Sequence, residues 1–411
     1  MRPKETFFAA IARSGILRVI RDSEWRRRRL LILCYHGVST ADEHEWNGEL
    51  YVPPAHLRKR LKYLRDHDYN ILPLGEACRR LTDETLPPRS VAITFDDGAM
   101  DFASKAVPIL REFSAPATVY LTTYYSDVRL PVFDVVLSYV LWRGRHVRVD
   151  LRSLCNESAP VFAQTLEDRA RATRLLCDVA IARRLDAYAK NRLAAEIAAR
   201  LGVDYDAVLA SGVFQIMPPN EVAALPADLV DVQLHTHRHR TPRRRDLFLR
   251  ELRDNAACIR ATRGHETPLA HFCYPSGDYD GAFLGWLRET GIEYATTTLP
   301  GLASADHDPL LLPRLIDTAA RSDYAFEGWA SGFADFFPKH SGHRLNRDRL
   351  RAQSNDEALD LGAIADSADD LEVAGIGEAK NGAVIDSVVM RSADDQESAP
   401  PQPRAEIRNH F

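Results

Sequence analysis

Three apolar runs in this chain stop on residues that can bind a metal or move a proton. "VAITFDDG" (91–98) ends on Asp96 and Asp97, "VQLHTHRHRTP" (232–242) carries His235, His237 and His239, and "LCYHGV" (33–38) carries His36. His235 and His239 are four apart, so on a helix-like turn they share a face and can bite one metal. His237 then faces elsewhere and reads as a surface residue. Two neutral imidazoles and one carboxylate make a catalytic zinc set with positions open for water and substrate, and Asp97 completes it. Adjacent residues leaving a strand point to different sides, so Asp96 can face substrate. Each piece also has a plainer reading. Asp-Asp-Gly is good turn chemistry, a lone histidine at a strand end is more often structural, and "CYPSGDYD" (273–280) is an ordinary Pro-Gly turn unless its backbone N–H groups hold an oxyanion.

Such residues need strands to carry them. "RLLILCYHGV", "SVAITF" and "APATVYLTT" are near-continuous apolar runs, as expected of parallel strands covered on both faces. Between them, Leu57, Leu61 and Leu64 recur at helical spacing behind Pro54, and "MDFASKAVPILREF" predicts a helix kinked at Pro108. Strand, helix, strand in this order is a parallel α/β unit. Residues of about 130–225 read as an inserted helical subdomain. "DLVDVQL", "LAHFCYP", "EYATTT" and "LLLPRLID" then resume the strands. The expected fold is a distorted (β/α) barrel of about seven parallel strands over 31–344. Ligands of such barrels sit at the carboxyl ends of the strands. Residues 345–411 are acidic and poor in aromatics, the composition of a disordered tail.

The chain has 411 residues, 45% of them hydrophobic and 27% charged, and a net charge of −5. No overall basic field marks a nucleic-acid binder. Six cysteines without a CxxC pair read as thiols rather than a disulfide or zinc framework, which points to a reducing compartment. The first 30 residues lack a signal-peptide pattern, and no run is long enough for a spanning helix. There Phe7, Phe8, Ile11, Ile16, Leu17 and Ile20 can line one helix face ahead of the basic run Arg26 to Arg29. Two readings stay open: an amphipathic helix packed on the domain, or a peripheral contact with a membrane surface. The expected location is cytoplasmic, with the inner membrane face as the alternative.

In order along 31–320, these motifs resemble the polysaccharide deacetylase family, the NodB homology group. "TFDDG" is similar to the family's first motif, which implies Asp96 as catalytic base and Asp97 as metal ligand. "HTHRH" is similar to the second, implying His235 and His239 as metal ligands. "YPSG" stands where the third motif falls, implying the Ser276 N–H as oxyanion donor. "YHGV" and "LLPRL" resemble the first and last strands of an exopolysaccharide-modifying subgroup. Three departures stand out. Cys273 occupies the place of an arginine that braces the base, with Arg314 of "LLPRL" as a substitute. The late Leu-x-Leu-His that supplies a general acid is not visible. Arg240 follows His239 where proline is common. His36 either hydrogen-bonds substrate, donates a proton to the leaving amine, or serves only the fold. The resemblance implies a divalent metal, zinc first with Co2+, Ni2+ or Mn2+ as alternatives, and hydrolysis of N-acetyl groups on a glycan. A related hydrolase of small or cyclic amides and an inactive glycan-binding barrel are the rival expectations.

Overall fold

The computed structural model describes residues 3–126 and 128–337; the tail read over 345–411 lies outside the described residues. Strands form where the apolar runs are. They are β1 (Leu31–Tyr35), β2 (Asn70–Ile71), β3 (Ser90–Phe95), β4 (Ala117–Leu121), β5 (Val230–Leu234), β6 (His271–Cys273), β7 (Tyr294–Thr296) and β8 (Leu315–Ile316). Every pairing among them is parallel. The path runs β8-β1-β3-β4-β5-β6-β7, seven strands, with the two-residue β2 paired beside β3 as an eighth. A parallel bridge from Thr296 to Leu312 brings the segment entering β8 alongside β7, and the sheet curls into a distorted barrel.

Alternation along the strands sorts side chains between two faces. Leu33, Ile93 and Val119 pack outward against helix residues such as Leu61, Ile109 and Phe248. Ile32, Ala92, Tyr120 and Cys273 form a second cluster inside the ring. The inner parity continues up the barrel through Cys34, Thr94 and Asp96, so the site grows out of the inner face.

Two local expectations change. The helix over "MDFASKAVPILREF" is a π-helical turn (Phe102–Ala106) followed by an α-helix (Val107–Glu112). Pro108 has no N–H and its ring clashes with the carbonyl four residues back, so the widened turn absorbs the misfit that a kink would otherwise take. The N-terminal segment is three short helices, Pro3–Arg13, Ile16–Arg21 and Glu24–Arg27, in place of one. Gly15 at φ 80 breaks the first junction, and Ser23 caps the third helix by accepting from the Arg26 N–H. Arg26 is also not part of a surface cluster: it is fully buried and donates to the carbonyls of Ala330, Arg29 and Ser90.

Helices Phe133–Arg143, Leu166–Ala182 and Ala187–Arg200 lie within the insertion and share a core of their own around Leu137, Leu176 and Ile197. Tyr51, from the two-residue strand Tyr51–Val52 that pairs in parallel with Gly37–Val38 after β1, is buried in that core too. The insertion therefore leans on the barrel mouth. The six cysteines are free thiols, five of them buried and Cys258 half-buried.

Candidate active site at the barrel mouth

Asp96 and Asp97 leave β3 in different directions because Asp97 takes a left-handed backbone, φ 71. Gly98 follows at φ 82, and a Cβ there would lie 2.3 Å from Leu121 Cδ1, so the turn requires glycine. Asp97 Oδ1 sits 3.2 Å from His235 Nε2 and 3.1 Å from His239 Nε2. Ligand atoms ~2.0–2.1 Å from a tetrahedral zinc lie about 3.4 Å from one another, so these separations suit a shared cation. The orientation of the rings points the same way. His235 Nδ1 donates to the Cys273 carbonyl at 2.9 Å, which aims Nε2 at the Asp97 carboxylate. Three candidate ligand atoms thus converge on one point. Desolvation would raise Asp97, but the imidazoles of His239 and His235 outweigh it and hold its carboxyl well below the ordinary range.

The loop carrying the imidazoles is not the helical turn expected from their spacing. Residues 237–239 form a bend, with Thr236 at φ 63 and His239 at φ 55. Left-handed backbone at two non-glycine positions is costly and needs support. Arg240 N–H donates to Thr236 Oγ1 at 2.9 Å. Glu251, fully buried, accepts from the Arg238 N–H at 2.8 Å and from the Arg240 side chain. Asn255 Oδ1 accepts from the His235 N–H at 3.0 Å. His237 does turn away: its Nδ1 lies 2.8 Å from Thr123 Oγ1. The clamp of Glu251 and Asn255 was missed in the sequence, where both read as ordinary helix residues of Arg245–Arg263.

Asp96 is buried inside the ring, 4% exposed. Arg314 Nη1 donates to its Oδ1 and Nη2 to its Oδ2, both at 2.7 Å. Desolvation pushes this carboxyl up, yet the charge and hydrogen bonds of Arg314 prevail and hold it well below its ordinary value. Cys34 and Cys273 each place Sγ 3.5 Å from Asp96 Oδ2, and Arg314 Nη2 reaches Cys273 Sγ at 3.1 Å. Arg314 is therefore placed against Asp96 although it comes from the opposite end of the chain. Cys34–His36–Asp96 and Asp96–His235–Cys273 are also close enough to share an ion, but the guanidinium already occupies both Asp96 oxygens. Asp97–His235–His239 is the set left available.

His36 follows β1 on the inner parity. Its Nε2 is 3.9 Å from Asp96 Oδ2, and its ring lines the same cleft as Asp97 and His239. Its Nδ1 is buried without a protein partner among the described residues. Ser276 is exposed, at φ 53 in the turn Pro275–Gly277. It stands three residues beyond the carbonyl that orients His235, and no hydrogen bond joins it to the imidazole cluster. The cleft's other walls are Leu50, Tyr51, Ala99, Thr122, Tyr125, Val132, Val135, Phe214 and Ile216, most of them unmarked in the sequence.

Residues 83–136 match the family model for polysaccharide deacetylases. "Putative polysaccharide deacetylase YxkH" of Bacillus subtilis (strain 168) is 34% identical over 94 residues, 23% of this chain and 32% of that protein. Poly-beta-1,6-N-acetyl-D-glucosamine N-deacetylase of Escherichia coli (strain K12) is 29% identical over 102 residues, 24% of this chain and 15% of that protein. The chain thus spans about a third or less of the curated relatives it matches. Among solved structures, Streptococcus pyogenes deacetylase PplD in complex with acetate aligns at 19% identity and a TM-score of 0.49, covering 75% of this chain and 99% of that chain. The matched segment holds the strand end that bears Asp96 and Asp97, and over that segment the chain is similar to the polysaccharide deacetylase family.

Proposed function

We propose that this protein is a metal-dependent hydrolase that removes N-acetyl groups from a sugar in an oligosaccharide or polysaccharide. The observation that carries the reading is one carboxylate oxygen, on Asp97, shared at 3.1–3.2 Å by two imidazoles beside an Arg-braced carboxylate at the mouth of a cleft. Asp97, His235 and His239 would hold the cation. A divalent ion bound there supplies Lewis acidity and brings the pKa of a bound water from ~15.7 toward ~7.

The chain's own groups have separable tasks. Asp96 accepts the water's proton. Arg314 keeps it ionised at every working pH, which secures the acceptor while weakening it as a base. His36 Nε2, close to Asp96 and open to the cleft, donates a proton to the leaving amine. The Ser276 N–H is the oxyanion donor in this scheme, supported by its left-handed turn directly after β6. Glu251 and Asn255 hold the imidazoles in place. Zinc is the first choice for a set of two nitrogens and one oxygen.

The test is metal analysis of the purified chain, with acetate release measured on N-acetylated oligosaccharides before and after chelation. Acetate release should vanish on chelation and return with added Zn2+ or Co2+. Release that survives complete metal removal would sink the proposal.

A further inference from the structure

Beside the imidazoles and carboxylates, the cleft is walled by aliphatic and aromatic side chains. Val132, Val135, Phe214 and Ile216 come from the helical insertion, and Leu50 from the loop after β1. Val132 and Val135 are half-buried on the cleft side, free to touch a ligand. A second cavity adjoins the first. The two share Tyr125 and Val132, and the second goes on past Phe133, Val136 and Tyr205.

We propose that this wall is an acyl pocket, and that the site hydrolyses N-acyl groups longer than acetyl at least as well as acetyl. The inference rests on the deacylase reading above and names the acyl class that the site prefers. With the amide carbonyl beside Asp97 and His239, either the acyl chain or the sugar must lie along the apolar wall. A sugar there would bury hydroxyls against Leu50, Val135, Phe214 and Ile216. Apart from tyrosine, the lining hydroxyl is that of Thr122, and it already donates to the His237 carbonyl at 3.0 Å. Each unpaired hydroxyl weakens binding by about 5- to 150-fold. An alkyl chain gains instead, by about fourfold in kcat/KM for each methylene that the wall covers. The sugar therefore lies on the open side and the acyl chain follows the wall toward the second cavity.

The chemistry is that of amide hydrolysis with a different leaving acid. Water adds its oxygen to the acyl carbon, the C–N bond breaks, and the amine takes a proton, giving a carboxylate and an amino sugar.

The experiment compares glucosamine oligosaccharides carrying N-acetyl, N-propionyl, N-butyryl and N-hexanoyl groups, with the metal-loaded full chain and the amine product as readout. kcat/KM should rise from acetyl to butyryl by about 16-fold. Val135→Trp fills the wall and should reverse that order, favouring acetyl over butyryl, while Val135→Ala should move the optimum to a longer chain. Metal content and melting temperature show that each variant is folded. A strict preference for acetyl in the unmodified chain, or the same chain-length profile in both variants, overturns the acyl pocket and leaves the deacylase reading standing. Failure to cleave any N-acyl sugar at any length overturns both.

Discussion

Consecutive residues of β1 touch two buried aspartates on opposite faces of the sheet. Cys34 points inward, its Sγ 3.5 Å from Asp96 Oδ2. Tyr35 points outward and its hydroxyl donates to Asp317 Oδ2 at 3.1 Å. Each aspartate is paired with a buried arginine, Asp96 with Arg314 and Asp317 with Arg60. The resemblance ends there. Asp317 Oδ2 also meets His56 Nε2 at 3.0 Å, and Arg321 lies 3.4 Å from Oδ1, so two arginines and an imidazole surround it, and it does not line the cleft that holds Asp97 and His36. Asp96 has one arginine, two weak thiol donors, and a histidine that opens to the cleft. A buried Asp–Arg pair is thus no mark of a site by itself. What distinguishes the inner one is its neighbour Asp97, which shares one carboxylate oxygen with two imidazoles at the cleft.

Breaking the inner side should have the largest effect. His235→Ala or His239→Ala should lose the metal and with it all measurable acetate release, because two remaining ligands do not hold zinc against competition. Metal content of the purified variants decides this, and full occupancy in both would remove the ligand assignment. His237→Ala, which alters a residue bonded to Thr123, should keep the metal. Asp96→Asn should keep the metal and lose activity by ~10²–10⁴-fold, since an amide does not accept the water's proton. Near-normal turnover by that variant would make Asp96 a structural turn residue.

The arginines test the contrast directly. Arg314→Met should destabilise the fold by about 3–5 kcal/mol, by leaving Asp96 buried and unpaired. It should also move the acid limb of the pH–rate profile upward, because the charge that depresses the Asp96 carboxyl is gone. Asp317→Asn should cost less, about 1–3 kcal/mol, because Arg60 keeps Asp323 at 2.8 Å, and should leave metal content and the pH–rate profile where they are. Urea melts beside pH profiles separate the two, and a profile shifted equally in both would erase the distinction.

A third buried aspartate gives the smallest effect. Asp101 has no arginine; its Oδ1 accepts from the Val38 N–H at 2.7 Å, and its Oδ2 has no partner. Burial, only partly offset by that N–H and reinforced by the charge of Glu43, pushes its carboxyl up to about 7 from 3.8. Between those values the folded protein holds a proton that the unfolded chain has released. Stability is therefore lost as pH rises from about 4 to about 7 and stays lost above. Asp101→Asn removes this term. Its stability relative to the parent should be greater at pH 8 than at pH 5, by on the order of 2–3 kcal/mol. Equal differences at the two pH values would show that Asp101 does not titrate there.

Much of this site was legible before any coordinates. The strand ends at His36, Asp96 and His235 follow from apolar runs that stop on polar residues. The opposed directions of Asp96 and Asp97 follow from the change of backbone at a strand end. Those are local properties, set by the period of a strand and the steric needs of Asp-Asp-Gly. The route of the loop was not legible: a spacing of four suggested a helical turn, whereas His235 and His239 meet through left-handed residues clamped by Glu251 from the following helix.

What only the tertiary structure decided lies farther apart in the chain. Arg314 reaches Asp96 across 218 positions because β8 closes the ring beside β1, and that closure depends on the register of every strand between. At the end of β6 Cys273 brings no charge to Asp96; the charge arrives on Arg314, just ahead of β8. The apolar wall exists only because the insertion folds on its own core and then leans over the barrel mouth. Residue types and local spacing name the groups that do chemistry. The long-range packing of strands and insertion chooses their partners, since a charge or a cleft wall acts through space and not along the chain.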